Sequence, residues 1–450
     1  MAAKLTPPDR EIWLDGLRGV AAVIVVWFHM TAGKLDTPYQ SFWDAPASAN
    51  RHFFQLVPFR TLFAGPGMVD IFFVVSGYSI SVRLIKLRHE GSFLVFYQRL
   101  TSSVVRRMFR LCFPVAVMMV GSHVLYYAGA YTITFRAGTG CPGAEPWRSP
   151  VPHIQCLVRS FISIINAENI QNLTLNDHFW TIPVEIRGSM KVYLTLFGLS
   201  NVREPVRKLI IVLLCLRSWW NGTPEFMAFF SGVLFAESNA SAMMKQPDMQ
   251  TLVSSSHRDH QDSSKADLRP TRMATLMKYL VFLLGIYLVS LPIRIQSDGS
   301  IDANFPPDWF FLKLFPPLSW WNTETTMRTW HTFGAILVVG SMRVLHRLRA
   351  PFETRAAQFL GHISFSLYLC HQTVLRIMLH WALHWTSLCV TGVGYLDAYT
   401  QGNWTIVFVA WILTVPLITT VLLLTSVYMA KAVDQRSIVI GSKVERLLCK

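Results

Sequence analysis

The sequence predicts an all-α fold: a polytopic bundle of about ten transmembrane helices, one domain over residues 1–450, with both termini in the cytosol. Three observations predict it. Of 450 residues, 52% are hydrophobic and only 15% are charged, whereas an ordinary soluble domain is nearer one-quarter charged. Apolar stretches recur from end to end, and lipid offers the backbone no hydrogen-bond partner, so spanning segments close their own hydrogen bonds as helices or barrels. The net charge of +15 is carried by Lys and Arg clustered in short links between those stretches. Such placement is the positive-inside pattern of a rim facing anionic headgroups, and it excludes nucleic acid as the natural partner.

A spanning helix needs about 20 mostly apolar residues. Ten stretches qualify, near 14–33, 62–82, 109–130, 186–200, 208–221, 224–238, 274–292, 330–346, 360–384 and 404–430, the fourth to sixth being short for a full crossing. The first holds Trp27 and His29 where a cleaved leader would have an unbroken apolar core, so a retained helix is expected. After the second span, "RLIKLRHEGSFLVFYQRLTSSVVRRMFR" carries Arg83, Lys86, Arg88, Arg99, Arg106, Arg107 and Arg110, which assigns this link to the cytosol. Counting spans from there puts the sequons at Asn172, Asn221 and Asn403 on the opposite side and the one at Asn239 on the cytosolic side.

Cys141 and Cys156 share the outer loop with Asn172, where an oxidising compartment would allow a disulfide. The seven cysteines include no CxxC pair, so neither a zinc nor a redox motif is signalled. Residues 239–273 are rich in Ser, Asp, Lys and His without an apolar period and read as a disordered cytosolic loop, with His257 and His260 part of a solvated tract. His380 and His384, interleaved with Trp381 and Trp385, read as an aromatic belt, so no metal site is expected.

Five blocks carry ionisable groups into the spans. In "WLDGLRGVAAVIVVWFHM", Arg18 and His29 are 11 residues apart, about three helical turns, so they share one face about 16 Å apart along the axis. Asp15 lies one turn from Arg18. A cation at the mouth and an imidazole deeper on the same stripe describe the wall of a polar channel, and ionisable groups in a span are functional candidates. In "GPGMVDIFFVVSGYSI", Asp70 falls near the depth of His29, where a carboxylate would fix the imidazole's tautomer and raise its basicity. Ser76 and Tyr78 flank Gly77, whose bare backbone admits a ligand or a neighbouring helix. In "VVRRMFRL", Arg107 and Arg110 project to one side from a helix start, spaced to grip phosphates through forked hydrogen bonds. In "NDHFWTIPVEIRGSMKVYL", Glu185 needs a partner at membrane depth, with Arg187 and His29 the candidates. "LGHISFSLYLCHQTVL" adds His362 low in its span and His371 midway.

These blocks stand in order from residue 14 to about 376, and together they resemble the acyltransferase-3 family of polytopic membrane O-acyltransferases, in its compact fungal form without an added hydrolase-like domain. The resemblance implies transfer of an acyl group, usually acetyl, from acyl-CoA to a hydroxyl. It implies His29 as base, Arg18 as its partner, Arg107 and Arg110 as acyl-CoA contacts, and no bound cofactor. Beside the glutamate, where bacterial members carry a second acid, this chain has Ile186-Arg187. The expected acceptor is a small molecule of fungal specialised metabolism, since no extracytosolic domain is large enough to handle a polymer. A cell-wall or secreted glycan is the alternative, and a transporter the non-enzymatic rival. Among the candidate residues, Asp70 and Glu185 join the catalytic set, while Ser76 and Tyr78 join the donor contacts. No retrieval signal of the KDEL kind ends the chain at "LLCK", and the endoplasmic reticulum and plasma membrane both fit.

Overall fold

A computed structural model describes residues 11–132, 141–168, 174–244, 272–293, 304–315 and 322–448. Asn172, His257, His260 and most of the expected 239–273 loop lie outside the described residues. The described residues are helical, with no strand among them. The long elements are α1 (Ile12–Thr31), α2 (Gly65–His89), α3 (Phe93–Tyr127), α4 (Val151–Ile165), α5 (Thr181–Gly198), α6 (Glu204–Trp220), α7 (Pro224–Met244), α8 (Arg272–Val289), α9 (Thr323–Val344) and α10 (Arg355–Thr391). They are followed by the short α11 (Tyr395–Thr400), then α12 (Trp404–Met429) and α13 (Gln435–Leu448), the last two joined by a π-helical turn.

Each of the ten apolar stretches coincides with one of these helices. Among the described residues, five segments are long and apolar enough to cross a bilayer: α1, α2, α3, α8 and the α12–α13 segment. The outward faces of the helices carry bare Leu, Val and Phe side chains, among them Leu194 on α5, Leu213 on α6, Leu283 on α8, and Phe408 and Leu424 on α12. A water-facing helix would show charge there, so the exposed apolar surface belongs against lipid. The chain is a membrane protein.

Two helix pairs form the frame, and glycine makes each possible. Along the α1–α10 contact, a Cβ at Gly19 would collide with the backbone of Leu360 and Gly361, and one at Gly361 with the carbonyl of Asp15. Along the α2–α7 contact, a Cβ at Gly77 would meet the Phe229 carbonyl, and one at Gly232 the Val74 carbonyl. Small residues facing each other let helix axes close up where lipid supplies no hydrophobic drive. What Gly77 admits is therefore a helix backbone.

Three boundaries differ from the sequence reading. The basic link is a turn of only three residues, Glu90 to Ser92, and Arg107 sits well inside α3 instead of at a helix start. Basic residues on one helix stripe look like loop to a hydropathy reading. The α7 helix continues to Met244, so 239–244 is helix and not loop. An amphipathic helix, α4, occupies the segment between α3 and α5, and the Cys141–Cys156 disulfide joins it to the segment after α3. The Cα–Cα separation of 5.4 Å is ordinary for such a bridge.

Candidate active site

A column of polar side chains runs between α1, α2, α5 and α10, with α3 closing one end. One wall is a stripe at helical spacing, His178 in the turn just ahead of α5 and Thr181, Glu185 and Ser189 on it. From His178 to Ser189 the chain advances 11 residues, about 16 Å. Arg18 and His29 are also 11 residues apart on α1. The two stripes face one another in opposite directions, so His29 lies level with His178 and Arg18 level with Glu185.

The charged end is a network. Arg107 forms an ion pair with Glu185, and its Nε donates to Ser189 Oγ at 2.6 Å. Ser76 Oγ donates to the same Glu185 oxygen at 2.5 Å. Ser189 in turn donates to the Glu185 backbone carbonyl at 2.6 Å, which locks its rotamer. Arg18 pairs with Asp15 at 3.8 Å and lies within electrostatic reach of Arg110, Glu185 and Arg107. Arg110 is exposed. Three guanidinium groups against two carboxylates leave a net positive mouth.

The other end is aromatic and nearly neutral. The side-chain amide of Gln372 meets His29 Nδ1 at 3.1 Å. The His29 and His371 rings are 5.0 Å apart by centroid, and His371 and His178 are 4.5 Å apart. His371 Nδ1 donates to the Tyr368 carbonyl at 2.6 Å, and Tyr368 Oη bridges Thr181 Oγ1 and the His178 carbonyl, each at 2.7 Å. Behind these, Asn176, Ser122 and Thr373 close a buried hydrogen-bonded triangle. Hydroxyl, amide and imidazole groups this dense inside a membrane bundle mark a candidate functional site.

Several expectations about partners are corrected. Asp70 does not orient His29; it is buried facing α9, beside Thr332 and under the influence of Arg328. Equal depth is not equal azimuth: Ser76, six residues on, faces the column, and six residues is about 600° of helical rotation, which turns Asp70 some 120° away. Glu185 pairs with Arg107 instead of Arg187 or His29, and Arg187 stands over the Phe226 ring at 5.9 Å, on another face. Tyr78 is remote from the column, with Asn239 Nδ2 donating to its hydroxyl at 2.6 Å and the hydroxyl bonded to Glu11. Ser76, by contrast, is in the network. Gln372, His178, Thr181 and Ser189 escaped sequence reading. The i, i+3, i+7 spacing from His178 was the available signal; Gln372 left none.

Arrangement and fold together define an integral-membrane enzyme whose polar column runs from a cationic mouth to an imidazole cluster. Comparison identifies the class. The acyltransferase-3 family model, described as an acyltransferase domain, matches residues 11–427, and the chain belongs to that family. An O-acetyltransferase named PaAT-1 from Phomopsis amygdali is 25% identical over 438 residues, covering 90% of this chain and 80% of that protein. The acyltransferase clz18 from Cochliobolus lunatus is 24% identical over 400 residues, 80% of this chain and 81% of its own. Acyltransferase R4 from a Phoma species is 23% identical over 408 residues, 81% and 82% respectively. No solved structure matches the chain. The protein is a membrane acyltransferase.

Proposed function

We propose that the protein transfers an acyl group, acetyl in the first instance, from acyl-CoA to a hydroxyl of a small molecule, with His29 as the general base. The observation that carries this reading is an imidazole and a cluster of guanidinium groups on one side of α1, about 16 Å apart along its axis. That interval suits a donor whose phosphates rest at the cationic mouth while its pantetheine arm reaches inward. Arg110 and Arg18 would hold the phosphates by charge-assisted hydrogen bonds. Arg107, committed to Glu185 and Ser189, would position rather than bind.

Acyl-CoA is made in the cytosol, and the cationic mouth would face it. The Cys141–Cys156 bridge follows the far end of α3 and fits the opposite, oxidising side. A shallow cleft lined by Phe28, Tyr39, Arg60, Phe63 and His331 adjoins the imidazole end through Phe28, whose ring lies 5.3 Å from that of His29. The named O-acetyltransferase relative supports acetyl as the group and oxygen as the acceptor atom.

The test is release of CoA from acetyl-CoA by the purified protein, with and without a hydroxyl-bearing extract of the source cells. Acceptor-stimulated release supports the reading, and no thioester cleavage under either condition sinks it. Within that assay, Arg110→Gln is expected to raise KM for acetyl-CoA by about tenfold, as the loss of one charge-assisted contact worth ~1.5 kcal/mol. The same variant leaves KM for acetyl-pantetheine, which lacks the nucleotide phosphates, at its wild-type value.

A further inference from the structure

His29 Nδ1 is engaged, so its chemistry passes through Nε2. Its partner is the neutral amide of Gln372, 3.1 Å away, the residue after His371 on α10. The titratable and charged groups bearing on His29 are His371 and Arg376 on α10, Lys34 beyond the end of α1, and His178 ahead of α5. All are basic. A carboxylate partner, the usual means of holding a catalytic imidazole, is replaced here by an amide.

We infer that Gln372 is the positioning residue that sets which nitrogen of His29 carries the proton, and that its amide serves both halves of the transfer. This rests on the reading of His29 as the base. An amide has one donating and one accepting end. With the N–H end toward Nδ1, as in the structure, neutral His29 carries its proton on Nε2 and can hydrogen-bond the thioester carbonyl. With the amide turned by 180° and the ring proton exchanged from Nε2 to Nδ1 through solvent, Oε1 accepts from Nδ1–H and Nε2 presents a lone pair to the acceptor hydroxyl. In that second state the hydroxyl proton moves to Nε2 as its oxygen bonds to the thioester carbon. The C–S bond then breaks, and the Nε2 proton passes to sulfur, releasing CoA as the free thiol. Oε1 stabilises the intervening imidazolium by accepting from Nδ1–H. A carboxylate could do only the second task, since it has no proton to offer when ionised.

His371 shows the contrast. Its Nδ1 faces the Tyr368 carbonyl, which can only accept, so its tautomer is fixed. Of the two neighbouring imidazoles, His29 is the one with an adjustable partner.

The experiment compares Gln372→Met, which keeps length and fills the helix face, with Gln372→Glu. Gln372→Met is expected to lower kcat at least tenfold with KM for acetyl-CoA unchanged. Gln372→Glu adds an acid beside the imidazole, raises its basicity, and moves the acid limb of kcat/KM upward by about one pH unit. Carbethoxylation of the His29 peptide, followed by mass spectrometry across pH, reads the same titration without turnover. Wild-type kcat in Gln372→Met overturns the inference. So does an unmoved carbethoxylation profile in Gln372→Glu. Should His29→Ala keep its activity, the base reading fails first; an inactive His29→Ala beside an unaffected Gln372→Met sinks only the inference.

Discussion

His29→Ala is expected to lower kcat by about 10²–10⁴-fold while leaving KM for acetyl-CoA unchanged, the scale on which a positioned general base contributes. The size follows from the site's layout. Glu185 is committed to Arg107 and Ser76, and the residual turnover would pass through the neighbouring rings of His371 and His178, whose Nε2 atoms have no hydrogen-bond partner among the described residues. The cationic mouth proposed to hold the donor is about three turns of α1 away, so the substitution leaves it intact, and the loss appears in turnover. His29 lies on the column face of α1, flanked by buried Val26 and Met30 on its other faces, so the fold survives its truncation. Single-turnover measurement of acyl transfer in detergent, alongside the thermal midpoint of the same sample, checks both halves. Turnover at the wild-type level would remove His29 from the chemistry.

The helical character of the fold was legible because its signal is one-dimensional. All ten expected stretches fall on helices, of which five segments among the described residues are long and apolar enough to span a bilayer. Boundaries failed where a helix is amphipathic and basic, as in the first half of α3, since hydropathy alone does not separate a solvated helix from a loop. The site was legible to the extent that its groups lie on one helix. Arg18 and His29 share a face by arithmetic, and they do face one column. Pairings between helices were not legible, because depth in the membrane constrains one coordinate and azimuth the other. Asp70 has the right depth and the wrong azimuth, while Arg107 finds Glu185 across two helices. Gln372 carries no charge and no periodic signal, and only its position across from His29 marks it.

Glu237→Ala is expected to be the most damaging substitution for stability, at about 3–5 kcal/mol, the cost of breaking a buried ion pair by deleting one partner. Glu237 on α7 is fully buried and is clasped from both sides. Arg88, at the end of α2, donates to its two oxygens at 2.7 and 2.9 Å, and Arg207, near the start of α6, at 2.9 and 3.1 Å. Both arginine side chains are at most 5% exposed, so neither regains water when the carboxylate is removed. Two like charges are then left buried together, and the loss is a large share of the 5–15 kcal/mol that typically holds a folded chain. The triad ties three helix ends, and through α2 it bears on the site, since α2 carries Ser76 to Glu185. Thermal unfolding in detergent reads the loss directly. Replacing all three residues by methionine separates charge from packing: near wild-type stability there, with Glu237→Ala unstable, identifies an unpaired buried charge as the cause. Equal instability in both would show instead that the hydrogen-bonded geometry itself holds α2, α6 and α7 together.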